Sequence, residues 1–221
     1  MSLGSLKAHA GVLWRTAGRR LYIGSSAERQ VVDSFRRLYL ESQVDTCWMG
    51  EFTPTPPTDL WSYQEIFHDT RPELIAARAT PNAGYLRTLC RIAGRGEVFA
   101  WDGDDKTEDG ERLEALTDLA RGKSSLMVVL GSCDGHAHLP FQLRRLGGLV
   151  TAGNYLIVED TAPERTHSDP AGVIKEFVGE DASFMVDRTP EKFYLTFNPG
   201  GYLRRQGSTW PGRSTGNVWN G

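Results

Sequence analysis

The sequence lacks the features that would assign it to a specialised class of protein. Its three cysteines, Cys47, Cys90 and Cys133, are odd in number and widely spaced, which predicts no disulfide framework and indicates a reducing compartment. The longest apolar runs, such as residues 126–130, are too short to span a bilayer, and the amino terminus lacks the apolar core of a signal peptide. A formal net charge of −3 provides no positive field for nucleic acid or an anionic membrane. We therefore expect a cytoplasmic, single-domain protein that binds neither nucleic acid nor a membrane.

The first part of the chain contains two helical patterns separated by a proline-rich connector. Residues 27–40 place apolar side chains at helical spacing with charged residues between them, which predicts an amphipathic helix. Residues 53–58 contain three prolines and cannot form a helix or a central strand. A second helix is predicted over residues 59–70, with Thr58 as its N-cap.

The remainder of the chain alternates between strand and helix patterns. Strands are predicted at residues 73–79, 97–101, 125–130, 155–158, 184–186 and 193–197. Helices are predicted at residues 85–93, 111–121, 138–149 and 171–178. This alternation is typical of an α/β fold with a doubly wound, mostly parallel sheet of about seven strands. The last two strands predict a C-terminal antiparallel hairpin, and the earlier helices form an N-terminal helical extension.

These patterns predict one globular domain with extensions at both ends. We assign residues 1–58 to an N-terminal arm and helical extension, residues 59–205 to the α/β domain, and residues 206–221 to an irregular C-terminal tail. The tail is rich in Gly, Ser, Pro and Trp, without any periodicity. Its residues Trp210 and Trp219 leave open whether the chain associates into a homo-oligomer.

Two adjacent carboxylates follow the most strand-like stretch of the chain. The run Tyr-Leu-Ile-Val at residues 155–158 opens after a Gly-Asn turn signal and closes on Glu159 and Asp160. A run that is apolar throughout predicts a strand buried on both faces of a parallel sheet, and such sheets bind ligands at the carboxyl edge. The pair is therefore a candidate binding site, and the alternative that it only caps the following segment remains open.

Several segments resemble one known family. Four segments match in order: DLWSYQEI at residues 59–66, RPELI at 71–75, YLIVEDT at 155–161 and FYLTFNPGGYL at 193–203. Together they resemble the cephalosporin hydroxylase / rhamnosyl O-methyltransferase family over roughly residues 59–205. The resemblance implies a Rossmann-like S-adenosylmethionine (SAM) methyltransferase fold, often associated with natural-product pathways.

The resemblance also implies a cofactor site at the ends of the first two strands of the α/β domain. The positions that it assigns to SAM are Ala79, Gly84, Trp101 and Asp102, with Asp102 on the ribose hydroxyls and the Trp101 ring on the adenine. The family pattern has an acid and then glycines after the first strand, so that the backbone lies close to the cofactor. This sequence has alanine at 77 and 79 instead, a degenerate form of that pattern.

The resemblance further implies a divalent metal, Mg²⁺, at the same edge of the sheet. Glu159 and Asp160 match two of its ligands, whereas Gly131 stands at the third position. Asp134 is the candidate substitute, so Glu159, Asp160 and Asp134 are the predicted metal ligands and catalytic residues. Asp134 also begins an Asp-Gly-His-Ala-His run, which leaves a transition-metal site open as an alternative.

Two functions are consistent with this sequence. The first is O-methylation of a small natural product, with SAM and Mg²⁺ as cofactors and the acceptor hydroxyl held near Glu159 and Asp160. The alternative is a repurposed fold that no longer transfers methyl groups, as an isomerase or cyclase or as an accessory subunit. Asp102 and the acidic pair favour the first function, while Ala77, Ala79 and Gly131 favour the second.

Overall fold

The structure is a computed structural model that describes residues 26–41, 46–78, 80–101, 109–131, 136–163 and 168–207. Contacts divide the chain into two units, residues 1–42 and residues 43–221. In the first unit, helix α1 spans Ser26–Glu41, which confirms the predicted amphipathic helix. Within the described residues, no helix is both long enough and apolar enough to cross a membrane.

The second unit contains the predicted alternation of strands and helices. Its helices are α2 Pro57–Thr70, α3 Ala83–Ala93, α4 Asp109–Ala120, α5 Leu139–Gly147 and α6 Pro170–Glu180, with a short 3-10 helix at Thr189–Glu191. Its strands are β1 Cys47–Trp48, β2 Glu51–Phe52, β3 Leu74–Arg78, β4 Glu97–Trp101, β5 Leu126–Leu130, β6 Tyr155–Val158, β7 Phe184–Val186 and β8 Tyr202–Arg205. Strands β1 and β2 pair with each other in a separate antiparallel hairpin.

The main sheet has six strands in the described residues, in the order β4-β3-β5-β6-β8-β7. Strands β4, β3, β5 and β6 are parallel to one another, while β8 is antiparallel to both β6 and β7. The predicted fold class, a mostly parallel α/β sheet with an antiparallel C-terminal part, is thereby confirmed. Every residue of β3, β5 and β6 is buried because helices and loops cover both faces of the sheet.

Two local predictions are wrong: the strand at residues 193–197, and Thr58 as the N-cap of α2. The final strand is β8 and not residues 193–197, because the main-chain N–H of Phe197 donates to the Asp59 carboxylate (2.9 Å) and not to a neighbouring strand. Thr58 does not cap α2 either. Its hydroxyl donates to the main-chain oxygen of Leu195, and Pro56 occupies the N-cap position without a side-chain cap.

Candidate functional site

The carboxyl ends of four parallel strands meet at one edge of the sheet. Arg78, the last residue of β3, is paired in register with Trp101 of β4 and with Leu130 of β5, and Leu130 is paired with Val158 of β6. The segments that follow these strands therefore begin side by side. This is the edge at which open α/β sheets bind ligands, as predicted from the sequence.

A cleft of about 460 Å³ opens at this edge, between β3, α3, β4 and α4. It is lined by eight residues: Ala77, Thr80, Ala83, Arg87, Phe99, Ala100, Trp101 and Arg112. Trp101 is 8% exposed, and its ring lies 5.5 Å from that of Phe99, so the aromatic wall of the cleft is firmly packed. The cleft combines this apolar wall with two guanidinium groups, which suits a ligand that has both an aromatic ring and a negatively charged group.

The predicted cofactor residues are distributed unevenly around this cleft. Trp101 lines it and also belongs to the buried core, so its predicted contact with adenine stays a prediction. Gly84 does not line it, and a side-chain carbon added there would lie 2.9 Å from the Glu51 carboxylate of the β1–β2 hairpin. The Glu51 side chain therefore lies close to Gly84, and the predicted cofactor contact at Gly84 stays a prediction. Ala79 and Asp102 lie outside the described residues.

Glu159 lies behind the cleft and is only 3% exposed. Its oxygen Oε1 accepts hydrogen bonds from the Tyr63 hydroxyl (2.6 Å) and from the Asn82 side-chain amide (2.6 Å). Its other oxygen, Oε2, accepts a hydrogen bond from the Thr80 hydroxyl. Burial outweighs these three donors and raises the pKa of Glu159 to about 7. The carboxylate is thus directed into a polar pocket of the protein and away from solvent.

Asp160 is the half-exposed member of the acidic pair. Its backbone adopts a left-handed conformation, with φ at 55°, and its main-chain N–H donates to Oδ1 of Asn198 at 2.8 Å. The described residues contain no group of three His, Cys, Asp or Glu side chains that could hold a metal ion. Because Asp134 lies outside them, the set of Glu159, Asp160 and Asp134 stays a prediction.

His136 has a structural contact with this pair. It is buried, with φ at 65°, and its Nε2 atom lies 2.9 Å from the main-chain oxygen of Glu159. A nitrogen in that contact donates to the carbonyl and does not ligate a metal. This contact concerns Nε2 alone, and Asp134 lies outside the described residues, so the transition-metal alternative stays a prediction.

A buried polar network connects the acidic pair to α2. It was not predicted from the sequence. The side-chain amide of Asn198 lies 3.3 Å from the Tyr63 hydroxyl and 3.4 Å from the Tyr202 hydroxyl. Tyr202 in turn donates to Oδ1 of Asp59 at 3.2 Å. All of these residues lie in the segments that carry the family resemblance, and that resemblance was the available sign of their importance. Their spacing in the sequence alone does not reveal contacts between α2 and the β8 region.

Asp59 is the second buried carboxylate of this network, with an exposed fraction of 1%. Thr196 donates to it through its hydroxyl (2.5 Å), and the main-chain N–H of Phe197 donates to its other oxygen. Burial raises the pKa of Asp59 to about 6 in spite of these donors. The network therefore contains two carboxylates that are easier to protonate than exposed ones.

Comparison with known proteins agrees with this architecture. The model of the Rhamnosyl O-methyltransferase/CmcI family matches residues 109–206. A rhamnosyl O-methyltransferase of Mycobacterium tuberculosis (strain H37Rv) is 25% identical over 158 residues, which cover 59% of this chain and 64% of that protein. The Mycobacterium leprae rhamnosyl O-methyltransferase is 24% identical over 212 residues, which cover 80% of this chain and 91% of that protein.

Solved structures of CmcI share the fold. An apo structure of CmcI has a TM-score of 0.55 at 21% identity, with 74% of this chain and 77% of the other covered. A structure of CmcI with Mg and SAM has a TM-score of 0.54 at 21% identity, with 73% and 77% covered. The chain spans 64% of the length of the M. tuberculosis relative. These matches confirm the resemblance found in the sequence: the chain is similar to rhamnosyl O-methyltransferases and shares its fold with CmcI.

Proposed function

We propose that this chain is a SAM-dependent O-methyltransferase that acts on a hydroxyl group of a small natural product. The observation that carries the proposal is the cleft at the carboxyl ends of β3 and β4, lined by Thr80 and Trp101. It lies in a fold shared with CmcI, one structure of which contains Mg and SAM. The cytoplasmic location expected from the cysteine content suits such an enzyme.

The lining residues fit the two ends of SAM. The cleft, at about 460 Å³, is within the range of small-molecule sites, and Trp101 provides an aromatic surface for adenine. Arg87 and Arg112 provide positive charge for the carboxylate of the methionine part. Ala77, at the position where the family has an acid, offers no acceptor for the ammonium group, so the site favours the carboxylate over the amine.

The proposed chemistry assigns the acceptor hydroxyl to Asp160. When bound, SAM supplies a methyl group activated by its sulfonium charge. Asp160 is the half-exposed carboxylate at this edge, so it is suited to bind an acceptor hydroxyl and take its proton. Asn198 would hold Asp160 in place through the main-chain hydrogen bond of 2.8 Å. Glu159, buried and saturated with donors, would not contact the acceptor.

The described residues do not fit a magnesium ion held by the acidic pair. Oε1 of Glu159 already accepts two hydrogen bonds and Oε2 accepts one, and the side chain is 3% exposed. A metal would have to displace donors from Glu159 before it could share that carboxylate with Asp160. We therefore assign no step of the reaction to the metal.

Calorimetric and thermal titration with SAM and S-adenosylhomocysteine tests the proposal. Ligand at about 100 times its Kd stabilises by ~2.7 kcal/mol, which raises the Tm of a chain of this length by roughly 5–10 °C. Ala83→Leu places a larger side chain in the cleft and should abolish this shift. Ala93→Leu, at the exposed last residue of the same helix, is the matched control and should keep it. Equal binding by the two variants would contradict the proposed cleft.

A repurposed, non-methylating member of the family is the second candidate. Two observations favour it: Ala77 replaces the family acid, and Glu51 covers the backbone at Gly84. It predicts that neither SAM nor S-adenosylhomocysteine shifts the Tm at millimolar concentration. Binding of either ligand in the Ala93→Leu control, but not in Ala83→Leu, would contradict that prediction, and transfer of a methyl group to a hydroxyl acceptor would then decide between the two candidates.

A further inference from the structure

The turn between β3 and α3 has its polar side chains directed at one carboxylate. Thr80 and Asn82, which are 8% and 1% exposed, both donate side-chain hydrogen bonds to Glu159. Asn82 is the N-cap residue of α3, a position where asparagine ordinarily accepts a hydrogen bond from the first turn of the helix. Here it makes no such cap, and its amide donates to Glu159 instead. The contact with Glu159 therefore takes the place of the ordinary local cap.

Asn198 fixes the direction of the hydrogen bonds on the other side of Glu159. The main-chain N–H of Asp160 can only donate, so the amide oxygen of Asn198 faces it at 2.8 Å. The amide nitrogen then faces the Tyr63 hydroxyl and donates to it. Tyr63 is left with its own proton to donate, and it donates that proton to Glu159 at 2.6 Å. Glu159 is consequently surrounded by three donors from two separate parts of the chain, α2 and the β3–α3 turn.

These contacts form a continuous connection from Asn198 to the wall of the cleft. Asn198 orients Tyr63, Tyr63 holds Glu159, and Glu159 holds Thr80, which lines the cleft. The family pattern has glycine at three positions around this turn. Two of them are alanine here, Ala79 and Ala83, and the remaining glycine, Gly84, lies inside α3. The conformation of the turn thus depends on side-chain hydrogen bonds and not on glycine backbone.

We propose that Glu159 is a positioning residue that holds the cleft-forming turn at residues 80–82, and that it is not a metal ligand. Asn198 supports it through Tyr63. The proposal refines the proposed function, since the turn lines the cofactor cleft, but the contacts that carry it are present without any cofactor. It also removes Glu159 from the predicted metal set and leaves Asp160 as the half-exposed carboxylate of the pair.

Amide hydrogen exchange, measured by mass spectrometry on the protein without ligand, tests this role. Glu159→Gln and Thr80→Val each remove part of the contact that holds the turn. Loss of a hydrogen bond to a charged group corresponds to roughly ten- to hundredfold faster opening, so exchange at residues 82–86 should accelerate by about that factor. Thr88→Val, at a buried threonine of the same helix that contacts Arg91 and not Glu159, is the matched control and should leave this segment unchanged.

A second arm separates positioning from metal binding. S-adenosylhomocysteine affinity is measured with and without millimolar Mg²⁺ for the parent protein, Glu159→Gln and Thr80→Val. If Glu159 is a positioning residue, each variant loses affinity for S-adenosylhomocysteine, and the factor of that loss is the same with and without Mg²⁺. A loss confined to Glu159→Gln in the presence of Mg²⁺ would overturn the proposal in favour of a metal ligand.

The two proposals fail in distinguishable ways. If the parent protein does not bind S-adenosylhomocysteine, the proposed function fails, while the exchange experiment still decides the role of Glu159. If Glu159→Gln does not fold, Thr80→Val decides, because valine replaces threonine at nearly the same volume. Unchanged exchange at residues 82–86 in Thr80→Val would overturn the positioning role.

Discussion

The buried Glu159 predicts an unusual dependence of stability on pH. Its pKa is raised from the ordinary value of 4.5 to about 7 by burial. The unfolded chain therefore releases this proton near pH 4.5, whereas the folded protein keeps it until about pH 7. Between these values the folded state binds more protons than the unfolded state, so the free energy of unfolding falls as the pH rises.

The size of this effect follows from the two pKa values. At ~1.4 kcal/mol for each unit of pKa, the step from 4.5 to about 7 corresponds to about 3 kcal/mol of stability lost across the window. Glu159→Gln has no titrating proton at this position. The difference in free energy of unfolding between the parent protein and this variant should therefore change by about 3 kcal/mol from pH 4.5 to pH 7.

Urea unfolding of both proteins at several pH values measures this difference directly. Asp59, whose pKa of about 6 is also raised by burial, titrates in both proteins, so only its coupling to Glu159 through the shared network enters the comparison. Parallel curves for the parent protein and Glu159→Gln between pH 4.5 and pH 7 would refute the reasoning. They would mean that the three donors around Glu159 offset its burial completely.

Two further predictions concern the contacts that surround the acidic pair. Gly201→Ala should destabilise the protein by about 3 kcal/mol or more, because the added carbon would lie 2.1 Å from the main-chain oxygen of Val158. Gly179→Ala is the control and should not destabilise it, because an added carbon there has nothing within 4 Å. Urea unfolding of both variants measures the difference. Tyr63→Phe should cost ~1.5–3 kcal/mol because it leaves a buried carboxylate short of a donor, whereas Tyr85→Phe, which loses a bond to a neutral carbonyl, should cost about 1 kcal/mol. Equal losses in the two tyrosine variants would argue against a charged acceptor at Tyr63.

The strands with continuous apolar sequences were the most predictable elements of the fold. Strands β5 and β6 are apolar and buried at every position, so the hydrophobic effect alone selects a central place in a parallel sheet. Residues 193–197 show how the same reasoning fails. Their aromatic and β-branched residues are typical of a strand, yet Thr196 and Phe197 bond to Asp59, a partner more than 130 residues away.

The acidic pair shows what spacing cannot decide. The two adjacent residues at the strand end were expected to act together. The backbone at Asp160 is left-handed, however, and its side chain lies in a different environment from that of Glu159. One carboxylate is half-exposed and the other is buried among donors from α2 and the β3–α3 turn. The position of Trp101 beside the cleft needed less information, because it depends only on the end of β4 lying at the ligand-binding edge of the sheet.

By itself, the sequence determined the α/β class, the central strands and the edge of the sheet that carries the candidate site. These features depend on apolar patterning and on the geometry of parallel strands, both of which are local or periodic properties. Only the tertiary structure decided that Glu159 holds the turn at Thr80 and Asn82, and that Asn198 joins it to α2 through Tyr63. The physical reason is that buried polar groups must find hydrogen-bond partners, and those partners lie in parts of the chain that only folding brings together.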